Sequence, residues 1–245
     1  MMAAFLAVYL REMLILKRRL KKQISAAAIS PLLYMLTFGY ALGGGIEVGG
    51  RSYIEFLLPG LVAMGGMTQA FGMASEINIA RFYSGIFEEI QISPAGRTAY
   101  VLGEICAGLT RVLAGCLIVI LLGALFGVRL HYGFFFWAGV FLNGFVFSAL
   151  AVSLAMLVRS HADQGLLNSF VITPMAFLGG TFFPLDSLPE WLQVPLSLLP
   201  LSHASRAIRT AAFGAVPTAA SFLLLAACGI LLFLLALHTV GKAKD

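Results

Sequence analysis

Charge is scarce in this chain, and that scarcity excludes more than any residue present. Only 11% of the 245 residues are Asp, Glu, Lys or Arg, against about 25% in a soluble globular domain. So few charges cannot cover a water-soluble globule of this size. Cysteine is nearly as thin: Cys106, Cys116 and Cys228 form an odd set without a CxxC pair. Cys106 and Cys116 lie roughly 15 Å apart along one helix axis, beyond disulfide reach, and read as small apolar fillers. The four histidines are scattered singly, and neither HExxH nor a Cys/His zinc spacing occurs. GxxxxGK[ST], GxSxG and GxGxxG are missing too; Gly241-Lys242 is followed by alanine. No catalytic residue and no metal ligand is assigned.

What the chain does have is long uncharged sequence. Hydrophobic residues make up 60% and the mean hydropathy is +0.95. Residues 23–46, 56–75, 112–128, 132–158, 164–185 and 210–239 contain no Asp, Glu, Lys or Arg. About 20 apolar residues in a helix cross the ~30 Å hydrocarbon layer. Five of these windows meet that length, and the third does so when extended back through Tyr100. The reading is an all-α integral membrane protein with six transmembrane helices, at 24–45, 55–76, 99–128, 133–158, 164–184 and 212–239. One membrane domain fills 1–245, because six spans leave no room for a soluble one.

The basic residues orient it. With the N-terminus in the cytoplasm and connections alternating sides, twelve of the sixteen Lys and Arg fall inside. Outside fall Arg51, Arg129, Arg206 and Arg209. This threefold bias predicts a multi-pass protein with both termini cytoplasmic. The net charge of +5 belongs to such loops and to anionic lipid, not to nucleic acid.

Residues 1–22 place their cations after the apolar segment, the reverse of a secretory signal. Phe5, Tyr9, Met13, Leu16 and Leu20 share one helical face, while Arg11 and Arg18 share another. This fits a helix lying in the cytoplasmic interface, apolar side down; a plain basic anchor before the first span is the alternative. Between the second and third spans, 76–111 carries Glu88-Glu89 and then a Ser93-Pro94-Ala95-Gly96 turn. The residues alone leave a docking element and a solvated loop equally open. Between the last two spans, Pro184, Pro189, Pro195 and Pro200 forbid one straight helix. A re-entrant or interfacial segment over 187–203 on the outer side reconciles those prolines with the apolar residues between them. It either caps an exit or packs over helix ends. Gly43-Gly44-Gly45 and Gly179-Gly180 read as close-packing positions. Phe134-Phe135-Phe136-Trp137 reads as an outer interfacial anchor.

"FEEIQISPAGRTAYVLGE", "PMAFLGGTFFPLDSLPEWLQVPLSLLPLSHASRAIR" and "FLLPGLVAMGGMTQAF" resemble, in position and order, pieces of the type 2 ATP-binding-cassette exporter permeases. The resemblance covers nearly the whole chain. It implies a permease subunit forming a translocation path, with no cofactor on this chain and ATP and magnesium on a separate cytosolic ATPase. It implies a coupling helix over 83–93, with Phe87, Glu88, Glu89, Ile90 and Gln91 meeting that ATPase. It also implies a second permease subunit, read as a homodimer, and a bacterial inner membrane. Tyr34, Phe38, Phe71, Thr173 and Phe177, in the first, second and fifth spans, are the candidate path residues. A membrane-embedded lipid-modifying enzyme and a non-transporting scaffold are the other two readings. Glu104 and Arg111 share a face about 10 Å apart and need a third group to pair.

Overall fold

The computed structural model describes residues 2–92, 96–158 and 160–243. Among these, ten helices follow one another: α1 (Met2–Arg18), α2 (Leu20–Ala41), α3 (Tyr53–Phe82), α4 (Ile86–Ile92), α5 (Arg97–Leu125) and α6 (Phe134–Leu157) come first. Next is α7, in which His161–Leu167 runs through a π-helical turn, Asn168–Ile172, into Thr173–Leu178. After it come α8 (Glu190–Ser197), α9 (Pro200–Ala212) and α10 (Ala219–Lys242). A two-residue hairpin, β1 (Glu47–Val48) against β2 (Arg51–Ser52), turns the chain from α2 into α3.

Length and composition make α2, α3, α5, α6 and α10 able to cross a membrane. The expected fifth span is not among them. Its helix stops at Leu178 rather than 184, and Asp163, Gln164 and Asn168 dilute its apolar sequence. Gly180, at φ 74°, ends it in a conformation that costs glycine nothing.

The central helix is α3. Three quarters of its apolar window is buried (78%), against 22% for α2 and for α10. It packs on α5, α6 and α9, while α10 lies on the far side of α6. Small residues set these distances: a Cβ on Gly66 would meet Asn143 Nδ2 at 2.8 Å, and one on Gly108 would collide with Ser148 Oγ. Asn143 Nδ2 donates to Ala63 O at 2.9 Å, satisfying a polar group in the apolar centre. The N-terminus of α3 is capped by Glu55, whose carboxylate accepts from the Ser52 amide at 3.3 Å.

Two expectations change here. The outer segment does not end at 203. Pro200 starts α9 at its favoured first position, and the helix runs to Ala212. It therefore takes Ala212, the first residue assigned to the last span, whose helix begins at Ala219. α9 is amphipathic, with Leu201, Ala204, Ile208 and Ala211 in the core. Its Arg209 donates to Phe56 O (3.1 Å), Gly180 O (2.7 Å) and Thr181 O (3.3 Å), and lies 3.9 Å over the Phe56 ring. Arg209 thus ties the first turn of α3 to Gly180 and Thr181, just past the end of α7. Arg209→Ala is expected to cost about 3 kcal/mol, because charged hydrogen bonds are lost and their acceptors stay buried. A thermal unfolding midpoint in detergent unchanged from the parent would contradict this.

The second change concerns α1. Its Val8–Glu12 side is buried against α5, with Val8 closing on Gly103. The apolar ridge left exposed is Met2, Leu6, Leu10 and Leu14, not the Phe5–Tyr9–Met13 face. Tyr9 instead reaches Thr110 Oγ1 at 3.1 Å. Periodicity finds a face; a buried polar partner decided which face turned inward.

Candidate functional site

A cavity of about 740 Å³ opens between α2, α3 and α7, a size typical of small-molecule sites. Its walls change character along their length. Arg19, Lys22, Gln23 and Glu76 line one end; Met64, Tyr34, Ala176 and Phe177 line the other. From Met64 to Glu76 along α3 is roughly 18 Å. Thr173 Oγ1 donates back to Asn168 O at 3.0 Å, and Thr68 Oγ1 bonds its own helix at Met64 O. Such back-bonding spends the one proton of each hydroxyl locally, leaving these two side chains only acceptor capacity toward the cavity.

Of the candidate path residues, Tyr34, Thr173 and Phe177 line this cavity. Phe38 stands beyond its apolar end, in a cluster with Tyr34, Phe177 and Phe182. There, Phe182 lies 5.1 Å from Tyr34, 5.2 Å from Phe38 and 5.2 Å from Phe177 between ring centres. The Tyr53 hydroxyl donates to Phe182 O at 2.6 Å and holds that cluster in place. Phe71 is not with them; it is buried in the helical core and absent from the cavity wall. One turn can present only one side of α3 to the cavity, and Thr68, Gln69 and Glu76 occupy it.

The coupling segment forms a helix over Ile86–Ile92 only. Gly85, at φ 65°, makes the turn before it, and Ser93 lies outside the described residues. Phe87 is buried, edge-on to Tyr100 of α5 at 5.8 Å. The Arg81 guanidinium is 5.8 Å from the same ring and 4.8 Å from Phe82. Arg81 also donates to Ala155 O and Val158 O, capping the C-terminus of α6 where cations are favoured. Glu88 and Glu89 are exposed and Ile90 is half-buried; the Gln91 side chain lies outside the described residues. Tyr83 meets His161 edge-on at 6.2 Å, and buried Asn78 Nδ2 donates to Gln164 Oε1 at 2.9 Å. Both contacts tie this segment to the start of α7, the cavity's third wall.

Sequence reasoning missed a buried ionic cluster. Arg111 Nη2 donates to Glu12 Oε2 at 3.1 Å and to Glu76 Oε2 at 2.6 Å. Arg11 lies 3.5 Å from the same Glu12. The third group that Arg111 needed is therefore on α1, 99 residues away, with a fourth on α3. Burial pushes the Glu12 carboxyl above its ordinary value, opposed by Arg11 and Arg111. The only sequence signal was cost: a charged residue inside a span demands partners, but does not name them.

The ABC-2 type transporter model matches residues 3–213. The chain is 29% identical over 178 residues to the inner membrane transport permease YadH of Escherichia coli K12, covering 71% of this chain and 69% of that one. It is 32% identical over 218 residues to nodulation protein J of Rhizobium meliloti, covering 86% and 81%. It is 24% identical over 191 residues to the daunorubicin resistance permease DrrB1 of Streptomyces coeruleorubidus, covering 76% and 67%. The chain belongs to the ABC-2 type transporter family, as a transmembrane permease subunit that is not itself the ATPase.

Proposed function

We propose that this permease carries an amphipathic solute through the cavity between α2, α3 and α7, in a homodimer in a bacterial inner membrane. The polarity gradient along that cavity is the observation that carries the reading: a basic, polar mouth and an aromatic far end suit a cargo with a polar head and an apolar body. The relatives named for daunorubicin resistance and for nodulation are compatible with cargo of that kind. Transport permeases of this family set aside the enzyme and scaffold readings.

In this proposal α7 is also a span, the fifth of six in chain order. Its 18 residues extend about 27 Å; its Asn168 and Thr173 line the cavity and its Gln164 meets Asn78. Six spans then keep both termini and the basic end of the cavity in the cytoplasm, with α1 in the inner interface. α8 and α9 form the outer segment. The helix Ile86–Ile92 meets the cytosolic ATPase through Glu88 and Glu89, and that partner holds ATP and magnesium. The cavity lies along α2 and α7, which bear exposed Ile29, Leu33 and Phe170; a second copy covers that side.

Single cysteines at Leu33 and Phe170, on a background lacking Cys106, Cys116 and Cys228, test this pairing. Crosslinking in membranes is expected to give a species of twice the 26.2 kDa chain. Monomers alone, in membranes whose complex hydrolyses ATP, would overturn the homodimer.

A further inference from the structure

We propose that Arg111 is a positioning residue for energy coupling: it holds the cavity wall at Glu76 in register with the N-terminal helix at Glu12 and with the coupling helix below. The proposal rests on the coupling role of Ile86–Ile92 and goes beyond it by assigning the route inward.

Arg111 lies about 21 Å along α5 from Arg97, and its side chain is only 2% exposed. One nitrogen, Nη2, serves both carboxylates, Glu12 Oε2 and Glu76 Oε2. Glu12 belongs to α1, while Glu76 belongs to α3 and lines the cavity. A guanidinium held at that depth tolerates no loss of partner, since an uncompensated buried charge is strongly unfavourable. Relative movement of α1, α3 and α5 is therefore constrained at this one group. Glu76, engaged by Arg111, also leaves Arg19 and Lys22 to set the charge at the cavity mouth.

Below Arg111, Glu104 and Tyr100 continue the same face of α5, seven and eleven residues back. Tyr100 and Glu104 stand one turn apart on α5, and Tyr100 carries the Phe87 ring of α4. A push on α4 thus meets Tyr100 first, with Glu104 and Arg111 further along the same face of α5. Spare bonding capacity lies along this line. Glu104 Oε2, Arg11 Nη1 and Arg111 Nε are buried without a hydrogen-bond partner among the described residues. These free atoms keep polar capacity beside the bridge, while Arg111 stays committed to Glu12 and Glu76.

The test uses the permease assembled with its ATPase in vesicles of Escherichia coli polar lipid, with an environment-sensitive fluorophore on Thr173→Cys in the cavity. The parent complex is expected to change emission when ATP and vanadate trap the ATPase. Arg111→Met is expected to reduce that change about tenfold, the scale of coupling between residues in one network. Complex recovery and basal ATP hydrolysis stay within about twofold. Arg111→Lys restores part of the response by keeping the charge. Glu12→Gln and Glu76→Gln each weaken it, and their effects do not add to that of Arg111→Met. If Arg111→Met does not accumulate, the two near-isosteric glutamine variants decide the matter. A parent-sized response in Arg111→Met, or in both glutamine variants, overturns the proposal, as does a loss that merely tracks the amount of folded complex. A parent complex that traps nucleotide but gives no response overturns the cavity reading as well. A response that persists in the variants overturns this inference alone.

Discussion

The double variant Glu88→Ala/Glu89→Ala is expected to lose its ATPase. Both carboxylates are exposed at the start of a helix whose Phe87 side is buried. Their intramolecular work is small: an acidic residue in a first helical turn contributes about 0.3–1 kcal/mol. Their proposed work is at an interface, where removing one partner of a buried charged pair costs about 2–5 kcal/mol. The larger figure decides the expected outcome: normal membrane insertion, poor recovery of the ATPase, and transport lost with it. A merely solvated loop predicts changes within about 0.5 kcal/mol. Arg51→Ala serves as the control on the opposite side. Arg51 sits 4.3 Å over the Phe213 ring, an exposed contact of about 0.5–1 kcal/mol, and its removal leaves ATPase recovery intact. Full ATPase recovery and full transport in the double variant would remove the assigned role.

Phe87→Ala is expected to reach the same functional loss by a different route. A seven-residue helix is far too short to be stable alone, so Ile86–Ile92 persists because Phe87 is buried against Tyr100 and beside Arg81. Truncating a buried phenylalanine costs about 3–5 kcal/mol, comparable to everything holding this short element down. The helix then detaches, leaving Glu88 and Glu89 present but unplaced. Amide hydrogen exchange separates the two routes. Phe87→Ala exchanges rapidly over 86–92, Glu88→Ala/Glu89→Ala keeps the protection of the parent, and Phe87→Leu recovers most of it. Parent-like protection in Phe87→Ala would show that something other than this ring anchors the helix.

Some of this protein was legible from residues alone because the bilayer imposes a local rule. Where about 20 residues must be apolar and their backbone bonds closed within the segment, absence of charge reveals a span wherever it occurs. That rule located α2, α3, α5, α6 and α10. It also marked 164–185, where the helix instead begins at His161 and ends at Leu178, with Gln164, Asn168 and Thr173 turned to Asn78 and the cavity. Proline spacing likewise signalled a broken outer segment, but it carried no information about how far α9 continues past Pro200. Past Pro200 the helix buries Leu201, Ala204, Ile208 and Ala211, and its Arg209 reaches the carbonyls of Phe56, Gly180 and Thr181.

By itself, then, the sequence determined that this is a helical membrane protein with basic residues concentrated on alternate connections, and its motif order pointed to a permease. Tertiary structure alone decided which side of α1 is buried, that Phe71 belongs to the core while Tyr34, Thr173 and Phe177 share a cavity, and that Phe87 anchors the helix bearing Glu88 and Glu89. It also decided that Arg111 pairs with Glu12 and Glu76. The division has one physical reason. Hydrophobicity and helix periodicity act over a few residues and are written in consecutive positions. The partner of a buried charge is chosen by which helices pack side by side, and those helices lie 35 and 99 residues apart in the chain.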